Sequence, residues 1–263
     1  MKDFSLNMLK QLIAAFKKHN YYISRLDTYW SQQKEIDKKE KVVLLRHDID
    51  RFPKTALLIA KMEAEMSIFG TYFFRTKSHV FKPEIIKEII KMGHEIGYHY
   101  ECLADAKGNL KKTVQLCKND LEKLRKLYPV VSAAMHSRPL SKWDNRLIWK
   151  KYPLGKFNLK GEAYLSVDHS KYLYLSDSGR NWNTNENVVW DTIEGEKIND
   201  INKTSDLIEK INKGEIKKIH LLIHPNRWPK SNIGWIFQWT IDKGINLIKK
   251  LIKLYRKNLA KIT

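Results

Sequence analysis

Five side chains that can bind a metal or transfer a proton follow short apolar runs typical of β-strands. Asp48 and Asp50 come after the first of these runs, and His99, His136 and His224 come after three later ones. Because parallel strands in an α/β protein gather their carboxyl ends on one face, we expect these side chains to converge. Such a set can hold one divalent metal and still supply a base and an acid.

Asp48 and Asp50 are the strongest single signal for a metal. Two carboxylates two residues apart at a strand end can point to the same side, where they repel each other unless a cation lies between them. The alternative is that they cap the helix expected to begin near Pro53, because Asp is a common N-cap residue. Imidazole together with carboxylate suits Zn, Fe or Ni.

Strand and helix patterns alternate along the chain, which predicts an α/β fold with a parallel sheet or barrel. The 263 residues predict one domain (1–263), in which residues 1–40 form an N-terminal helix and a connector packed on the barrel. The polar residues 31–41 are interpreted as the connector. Helices are predicted at 5–20, 53–66, 83–93, 109–127, 205–212 and 237–258, and irregularly spaced strands at 161–167, 172–175 and 188–190.

Composition narrows the class of protein. An apolar fraction of 43% excludes a disordered chain, and the two cysteines are too few for a disulfide framework. No stretch reaches the roughly 18 to 20 apolar residues of a membrane span, and the N-terminus lacks the pattern of a signal peptide. We therefore expect a soluble protein in the cytoplasm.

The net charge of +20 indicates anionic partners. Residues 203–263 carry 14 Lys or Arg against 4 Asp or Glu. Electrostatic contact with an anionic membrane surface and phosphate groups on a ligand are both consistent with this charge. Nucleic acid is not favoured, because no basic region is interleaved with aromatic residues as in nucleic-acid modules.

The sequence contains four short motifs: Asp48-Ile49-Asp50, the Gly-His-Glu-Ile-Gly-Tyr-His run at 93–99, Arg138-Pro139, and Leu222-Ile223-His224-Pro225. These motifs resemble those of the polysaccharide deacetylase family, also called NodB-homology domains or carbohydrate esterase family 4. The likeness spans about residues 41 to 228. It implies a distorted (β/α) barrel of seven or eight strands that removes N-acetyl or O-acetyl groups from sugars with one divalent metal.

The resemblance also implies roles for individual residues. Asp48 is the expected base, Asp50 and His99 are metal ligands, Arg138 orients the base, and His224 is the acid. The metal is expected to be Zn, with Fe, Ni, Co and Mn as alternatives.

One position departs from the family pattern. Leu103 stands where the family usually has a second metal histidine. A catalytic zinc site has three protein ligands, so a substitute is needed. His136 is the first candidate and Glu101 the second.

Five residues are predicted to bind the substrate. Trp182 and Trp228 suit stacking on a sugar face, and Arg180 and Arg227 suit phosphate or carboxylate groups. Asp177 lies in the same loop segment as Arg180 and Trp182. The alternative for the tryptophans is that they anchor loops.

The expected substrate is an acetylated sugar, linked to a nucleotide or a lipid, in the biosynthesis of capsule or O-antigen. Intracellular deacetylase-like proteins of polysaccharide biosynthesis are similar in having a single histidine in the second motif. A catalytically inactive sugar-binding relative is the alternative function. A non-haem Fe(II) oxygenase is less consistent with the sequence, because such sites lack the additional Asp base.

Overall fold

The computed structural model describes residues 2–138, 141–182 and 200–259, and for residues 249–259 it describes the backbone alone. Over these residues the chain forms a sheet of eight strands flanked by helices. The strands are β1 Tyr22–Ser24, β2 Val42–Ile49, β3 Thr71–Phe74, β4 Glu95–Tyr100, β5 Ser132–Met135, β6 Gly161–Glu162, β7 Leu173–Ser176 and β8 Lys218–Ile223.

All the strand pairs described are parallel, and the sheet follows the order β6-β5-β4-β3-β2-β8-β7 with β1 added alongside β2. Side chains bring the two ends of this path together. The rings of Tyr164, two residues after β6, and Tyr174 of β7 lie 6.0 Å apart. The predicted fold class, an α/β fold with a distorted (β/α) barrel of seven or eight strands, is confirmed.

Helices follow most strands. They are α1 Leu6–Lys18, α2 Leu26–Asp37, α3 Pro53–Glu65, α4 Pro83–Lys91, α5 Cys102–Asp105, α6 Leu110–Arg125, α7 Leu147–Lys151, α8 Thr204–Lys213 and α9 Asn232–Leu259. The predicted helices agree with α1, α3, α4, α6, α8 and α9 to within a few residues. Local sequence signals explain where some of these helices begin. At α1 the Ser5 hydroxyl accepts a hydrogen bond from the Met8 amide, and α3 and α4 begin with proline.

Alternation along β2 separates the core into two layers. Val43 and Leu45 face outward and pack with α1, α3 and α8, whereas Val42 and Leu44 face the barrel interior. Further along, Arg46 continues the interior-facing series. This period of two is what directs the acidic side chains at the end of β2 into the barrel mouth.

The segment predicted as a polar connector contains a helix. α2 inserts Leu26, Tyr29 and Ile36 under the amino end of the barrel, next to Val42 and Leu44. Sequence reasoning missed this helix because residues 31–35 are polar and face mostly solvent. β1 was missed as well, since it is only three residues long. The single-domain organisation stays a prediction.

Residues 161–167 form a strand only at Gly161–Glu162, and the strand predicted at 188–190 lies outside the described residues. Cys102 and Cys117 are buried free thiols, as expected from their number. No helix in the described part of the chain combines the length and apolarity needed to cross a bilayer.

Candidate functional site

The five side chains predicted to bind a metal or transfer a proton lie at the carboxyl ends of four strands. Asp48 and Asp50 are at the end of β2, His99 is in β4, and His136 and His224 follow β5 and β8 directly. Because the strands are parallel, these ends meet at one edge of the sheet. The side chains line one cavity of about 410 Å³ there, a size suited to a small ligand.

Asp50, His99 and His136 form a compact cluster of potential metal ligands. The Asp50 Oδ1 atom lies 3.3 Å from His99 Nε2 and 3.0 Å from His136 Nδ1, and the two imidazole nitrogens are 3.3 Å apart. Tetrahedral ligands with bonds of about 2.0 to 2.1 Å stand about 3.3 Å from each other. The spacing of these atoms therefore fits one tetrahedral metal ion with its fourth position open.

The hydrogen bonds around the cluster orient His99 for this purpose. Its Nδ1–H donates to the carbonyl oxygen of Ala134 on β5 at 3.0 Å, which leaves Nε2 directed at Asp50. A fixed tautomer of this kind is the usual arrangement for a metal-ligating histidine.

The electrostatics of the cluster favour a charged carboxylate. Burial acts to raise the pKa of Asp50, but His136 and His99 outweigh it and hold that pKa well below its usual range. Burial lowers the pKa of His136 despite the neighbouring Asp50 carboxylate. Burial acts to lower the pKa of His99, but Asp48 and Asp50 outweigh it and raise that pKa. An ionised Asp50 beside a neutral His136 suits a cation, whose binding would displace the proton that the carboxylates favour on His99.

Asp48 is buried beside the cluster and is held by an arginine from its own strand. Its Oδ2 accepts a hydrogen bond from Arg46 Nη2 at 2.9 Å and lies 3.7 Å from His99 Nε2. Its Oδ1 has no hydrogen-bond partner among the described residues. The Arg46 guanidinium is fully buried and stacks 4.2 Å from the ring centroid of Tyr164. Asp48 is thus fixed with one free oxygen.

His224 is fixed by a buried carboxylate. Its Nδ1–H donates to Asp177 Oδ1 at 2.6 Å, and its backbone amide donates to Asp177 Oδ2 at 2.9 Å. Arg227 and the Trp228 indole also donate to Asp177. Although burial acts to raise the pKa of Asp177, His224 and Arg227 outweigh it and lower that pKa. The imidazole is therefore oriented by an ionised carboxylate, with its Nε2 available to the cavity.

Arg138 lies at a different place from the one that its expected role requires. Its guanidinium pairs with Glu101 at 3.0 Å and Asp105 at 2.8 Å, and the guanidinium in contact with Asp48 is that of Arg46. The prediction that Arg138 lies against Asp48 is therefore corrected: the arginine in contact with Asp48 is Arg46, two residues before it on the same face of β2.

Glu101, the second candidate for the third metal ligand, already pairs with two arginines. Its buried carboxylate accepts hydrogen bonds from Arg75 and Arg138. The structure thus brings His136, rather than Glu101, to Asp50 and His99. Leu103, at the position of the missing histidine, is buried in α5.

Two of the predicted sugar-stacking residues are core residues. Trp182 and Trp228 are both 0% exposed, and their rings lie 6.0 Å apart in the cluster that also contains Phe4. Neither leaves a ring face for a sugar, which corrects that prediction in favour of loop anchors. Trp182 was misread because a tryptophan in a loop sequence gives no signal of its burial.

Of the three other residues predicted to bind substrate, two make structural contacts and one lines the cavity. Arg180 donates to the carbonyl oxygens of Phe4 and Arg227 and stacks on Trp235, so its role is to hold the loop. Asp177 positions His224. Arg227 does line the cavity, and Arg51 and Arg75 line it too.

Arg75 is a site residue that sequence reasoning missed. It follows β3, and its guanidinium donates to the Asp50 carbonyl oxygen at 3.1 Å and to Glu101 at 2.8 Å. The signal was available, since Arg75 ends an apolar strand in the same way as the acids and histidines. Ile245 of α9, which also lines the cavity, gave no such signal because it is distant from the motifs.

Comparison with known proteins gives likenesses to solved structures only. No family model matches the sequence, and no curated protein matches it. A deacetylase, PplD, of Streptococcus pyogenes, in complex with acetate, is 14% identical with a TM-score of 0.45, covering 59% of this chain and 70% of that one.

Two further likenesses cover more of the chain. The peptidoglycan deacetylase PdaC of Bacillus subtilis is 13% identical with a TM-score of 0.42, covering 83% of this chain and 94% of that one. A CE4 esterase of Streptococcus mutans is 15% identical with a TM-score of 0.45, covering 87% and 89%. The chemistry assigned to this chain rests on the geometry of its own residues.

Proposed function

We propose that this protein is a metal-dependent hydrolase that removes an N-acetyl or O-acetyl group from a sugar. The observation that carries the proposal is the tetrahedral spacing of Asp50, His99 and His136 next to the buried Asp48 carboxylate, whose Oδ2 lies 3.7 Å from His99 Nε2. A carboxylate, a cation site and an oriented imidazole around one cavity are the groups that amide or ester hydrolysis needs.

Asp50, His99 and His136 would hold the metal, for which zinc is the best fit and Fe, Ni, Co and Mn are alternatives. When bound, the metal would act as a Lewis acid that activates water and polarises the acetyl carbonyl. Two neutral imidazoles and one carboxylate leave a net positive charge at the site, which favours the negative charge that develops on the carbonyl oxygen.

Asp48 would act as the base. Its Oδ1 is buried without a hydrogen-bond partner among the described residues, so it can accept the proton of the attacking water. Arg46 fixes the other oxygen and keeps the carboxylate in place. Positioning of this kind is a large part of general base catalysis, because the donor and acceptor must lie within hydrogen-bond reach.

His224 would act as the acid. An amine leaves far more readily once protonated, and general acid catalysis typically contributes about 10² to 10⁴ in rate. Asp177 holds the His224 ring through Nδ1, so that Nε2 faces the cavity and can transfer a proton there. The arrangement of carboxylate, imidazole and cavity is the one expected for an imidazole that donates a proton during the reaction.

The substrate we propose is an acetylated sugar linked through phosphate to a nucleotide or a lipid, such as a precursor of capsule or O-antigen, acted on in the cytoplasm. Arg51 at the cavity supports an anionic ligand, because guanidinium groups bind phosphate through paired hydrogen bonds. Arg75 and Arg227, which also line the cavity, add positive charge there although they pair with Glu101 and Asp177.

The test is acetate release by metal-loaded protein from a panel of nucleotide-linked and lipid-linked acetamido sugars and their O-acetyl counterparts. We expect turnover of at least one member, abolished by a chelator and restored by zinc. Binding of these sugars with no acetate released from any of them would replace the proposal with the catalytically inactive sugar-binding alternative.

A further inference from the structure

α9 has two faces of different character. Gln238 and Asp242 are buried against the rest of the molecule, Ile245 lines the cavity, and Asn246 donates to the Gly179 carbonyl oxygen. These four residues follow the helical spacing of a single face. This inner face ties α9 to the loop after β7 and to the cavity.

The opposite face of α9 exposes large apolar side chains. Five of them fall within an arc of about 120° when 100° is allowed per residue, in two groups separated by Thr240 and Gly244, which lie in the same arc. Together with Trp239 at its side, they form what we call the outer face of α9: Ile233 (83% exposed), Ile236 (54%), Phe237 (59%), Trp239 (40%), Leu247 (61%) and Ile248 (52%). Apolar stripes of this size on a protein surface mark interaction sites.

Cations occupy the rest of the circumference of α9, outside the apolar arc. After Asp242, α9 contains six Lys or Arg residues and no Asp or Glu. Lys243 Nζ lies 4.6 Å from the ring centroid of Trp239, and Lys2 Nζ lies 5.2 Å from that of Trp235. The two indoles stack with their centroids 6.3 Å apart. Tryptophan beside lysine on an amphipathic helix is typical of the boundary between lipid headgroups and acyl chains.

We propose that α9 docks this protein on the surface of an anionic lipid bilayer, with the outer face inserted among the headgroups. Charge decides between a bilayer and a second copy of the chain. Two copies would bring two helices of the same strong positive charge together, whereas anionic headgroups neutralise that charge. The net charge of +20 likewise favours an anionic bilayer over a second copy of the chain.

The docked position would place the cavity close to the membrane surface, because Ile245 lines the cavity from the same helix. A sugar on a lipid carrier would reach Asp48 and His224 from such a position. The docking itself does not depend on the proposed hydrolysis, and its test measures binding alone.

The experiment is vesicle flotation of the full chain with phosphatidylcholine vesicles, with and without phosphatidylglycerol. We expect binding only when phosphatidylglycerol is present, and loss of binding in high salt, which screens the charges. Phe237→Asp should weaken binding on the order of tenfold or more, since it removes a large apolar contact and adds a negative charge.

Leu58→Asp is the matched control. Leu58 is 42% exposed on α3, so the change has the same charge on another helix, and it should leave binding unaltered. Ile233→Asp, at a side chain 83% exposed, is a second variant in which misfolding is not expected.

Three results would overturn the docking proposal. The first is equal recovery of wild-type protein with both vesicle types, and the second is equal weakening by Leu58→Asp and Phe237→Asp. The third is a dimer, seen by light scattering without vesicles, that Phe237→Asp dissociates, because the outer face would then bind a second copy of the chain.

Discussion

At the scale of residues, Asp48 and Asp50 have different environments although they are two positions apart. Asp50 lies between two imidazoles, whereas Asp48 pairs with a guanidinium and retains a free oxygen. The same residue type is thus suited to binding a cation at one position and to accepting a proton at the other. This difference can be tested by substitutions that preserve shape.

Asp48→Asn should retain the metal, but its rate of acetate release should fall by at least about 10²-fold. The amide fits the same place but cannot accept the proton. Metal content by elemental analysis and turnover under saturating substrate would be measured together. Glu101→Gln is the control, since it neutralises a buried carboxylate that has no proposed part in proton transfer. Turnover close to wild type in Asp48→Asn would remove Asp48 from the mechanism.

Arg46→Met should both destabilise the protein and impair turnover. It would leave the buried Asp48 carboxylate without its cation, and breaking a buried ion pair in this way costs about 3 to 5 kcal/mol. Arg46→Lys should recover part of both properties, because the charge is kept while the planar contact with Tyr164 is lost. Urea denaturation and turnover per folded molecule are the measurements. If Arg46→Met is as stable as wild type, the pair contributes nothing to the fold.

At the scale of elements, one buried carboxyl group links several strands and a helix at the amino end of the barrel. Glu95 at the start of β4 accepts hydrogen bonds from Thr71 of β3, Ser132 of β5 and the Asp27 amide of α2. Burial and the charge of Asp27 raise the pKa of Glu95 from 4.5 to about 7. Glu95 therefore links three strands and α2 through a group that titrates near neutral pH.

This raised pKa predicts a stability that decreases as the pH rises. Between about 4.5 and 7 the folded state holds a proton that the unfolded state has released, so the contribution is present below this window and lost above it. The loss amounts to at most about 3 kcal/mol. Glu95→Gln cannot titrate, and its free energy of unfolding should therefore change less than that of wild type from pH 5 to pH 8. Parallel pH profiles of the two proteins would contradict the raised pKa.

The elements with strong periodicity could be predicted from the sequence, and those defined by tertiary contacts could not. α1, α3, α4 and α6 carry caps, prolines and apolar spacing of their own. α2 and the two-residue β6 depend on the barrel that they cover or extend. Their short polar sequences give little local signal.

The same distinction applies to the site. Strand-end position was enough to collect Asp48, Asp50, His99, His136 and His224 into one cavity. Side-chain direction and partner choice were not available from position, so Arg138 was assigned the contact that Arg46 makes, and two buried tryptophans were assigned to the substrate.

At the scale of the whole molecule, the metal would connect strands that are distant in sequence. Its proposed ligands come from the ends of β2, β4 and β5, so binding would link three parallel strands at the carboxyl edge. A ligand that binds only the folded state stabilises it, by about 2.7 kcal/mol at a concentration 100 times its dissociation constant.

Removing the metal with a chelator should therefore lower the melting temperature, and adding zinc should restore it. His136→Ala should lose both the metal and this response, whereas Glu101→Gln should keep both. Calorimetry with elemental analysis would measure the two effects on the same samples. Retention of one metal equivalent by His136→Ala would transfer the third-ligand role to another residue.

The contact between Tyr164 and Tyr174 has a consequence for the width of the barrel. Ladder hydrogen bonds fix the spacing of neighbouring strands at about 4.8 Å, but β6 and β7 are neighbours only through their side chains in the part of the chain described. This junction is consequently the part of the barrel wall that is least constrained by backbone hydrogen bonds. We expect the barrel to widen there more readily than elsewhere, because every described backbone pairing can stay intact, and Arg46, stacked on Tyr164, would transmit that widening to Asp48.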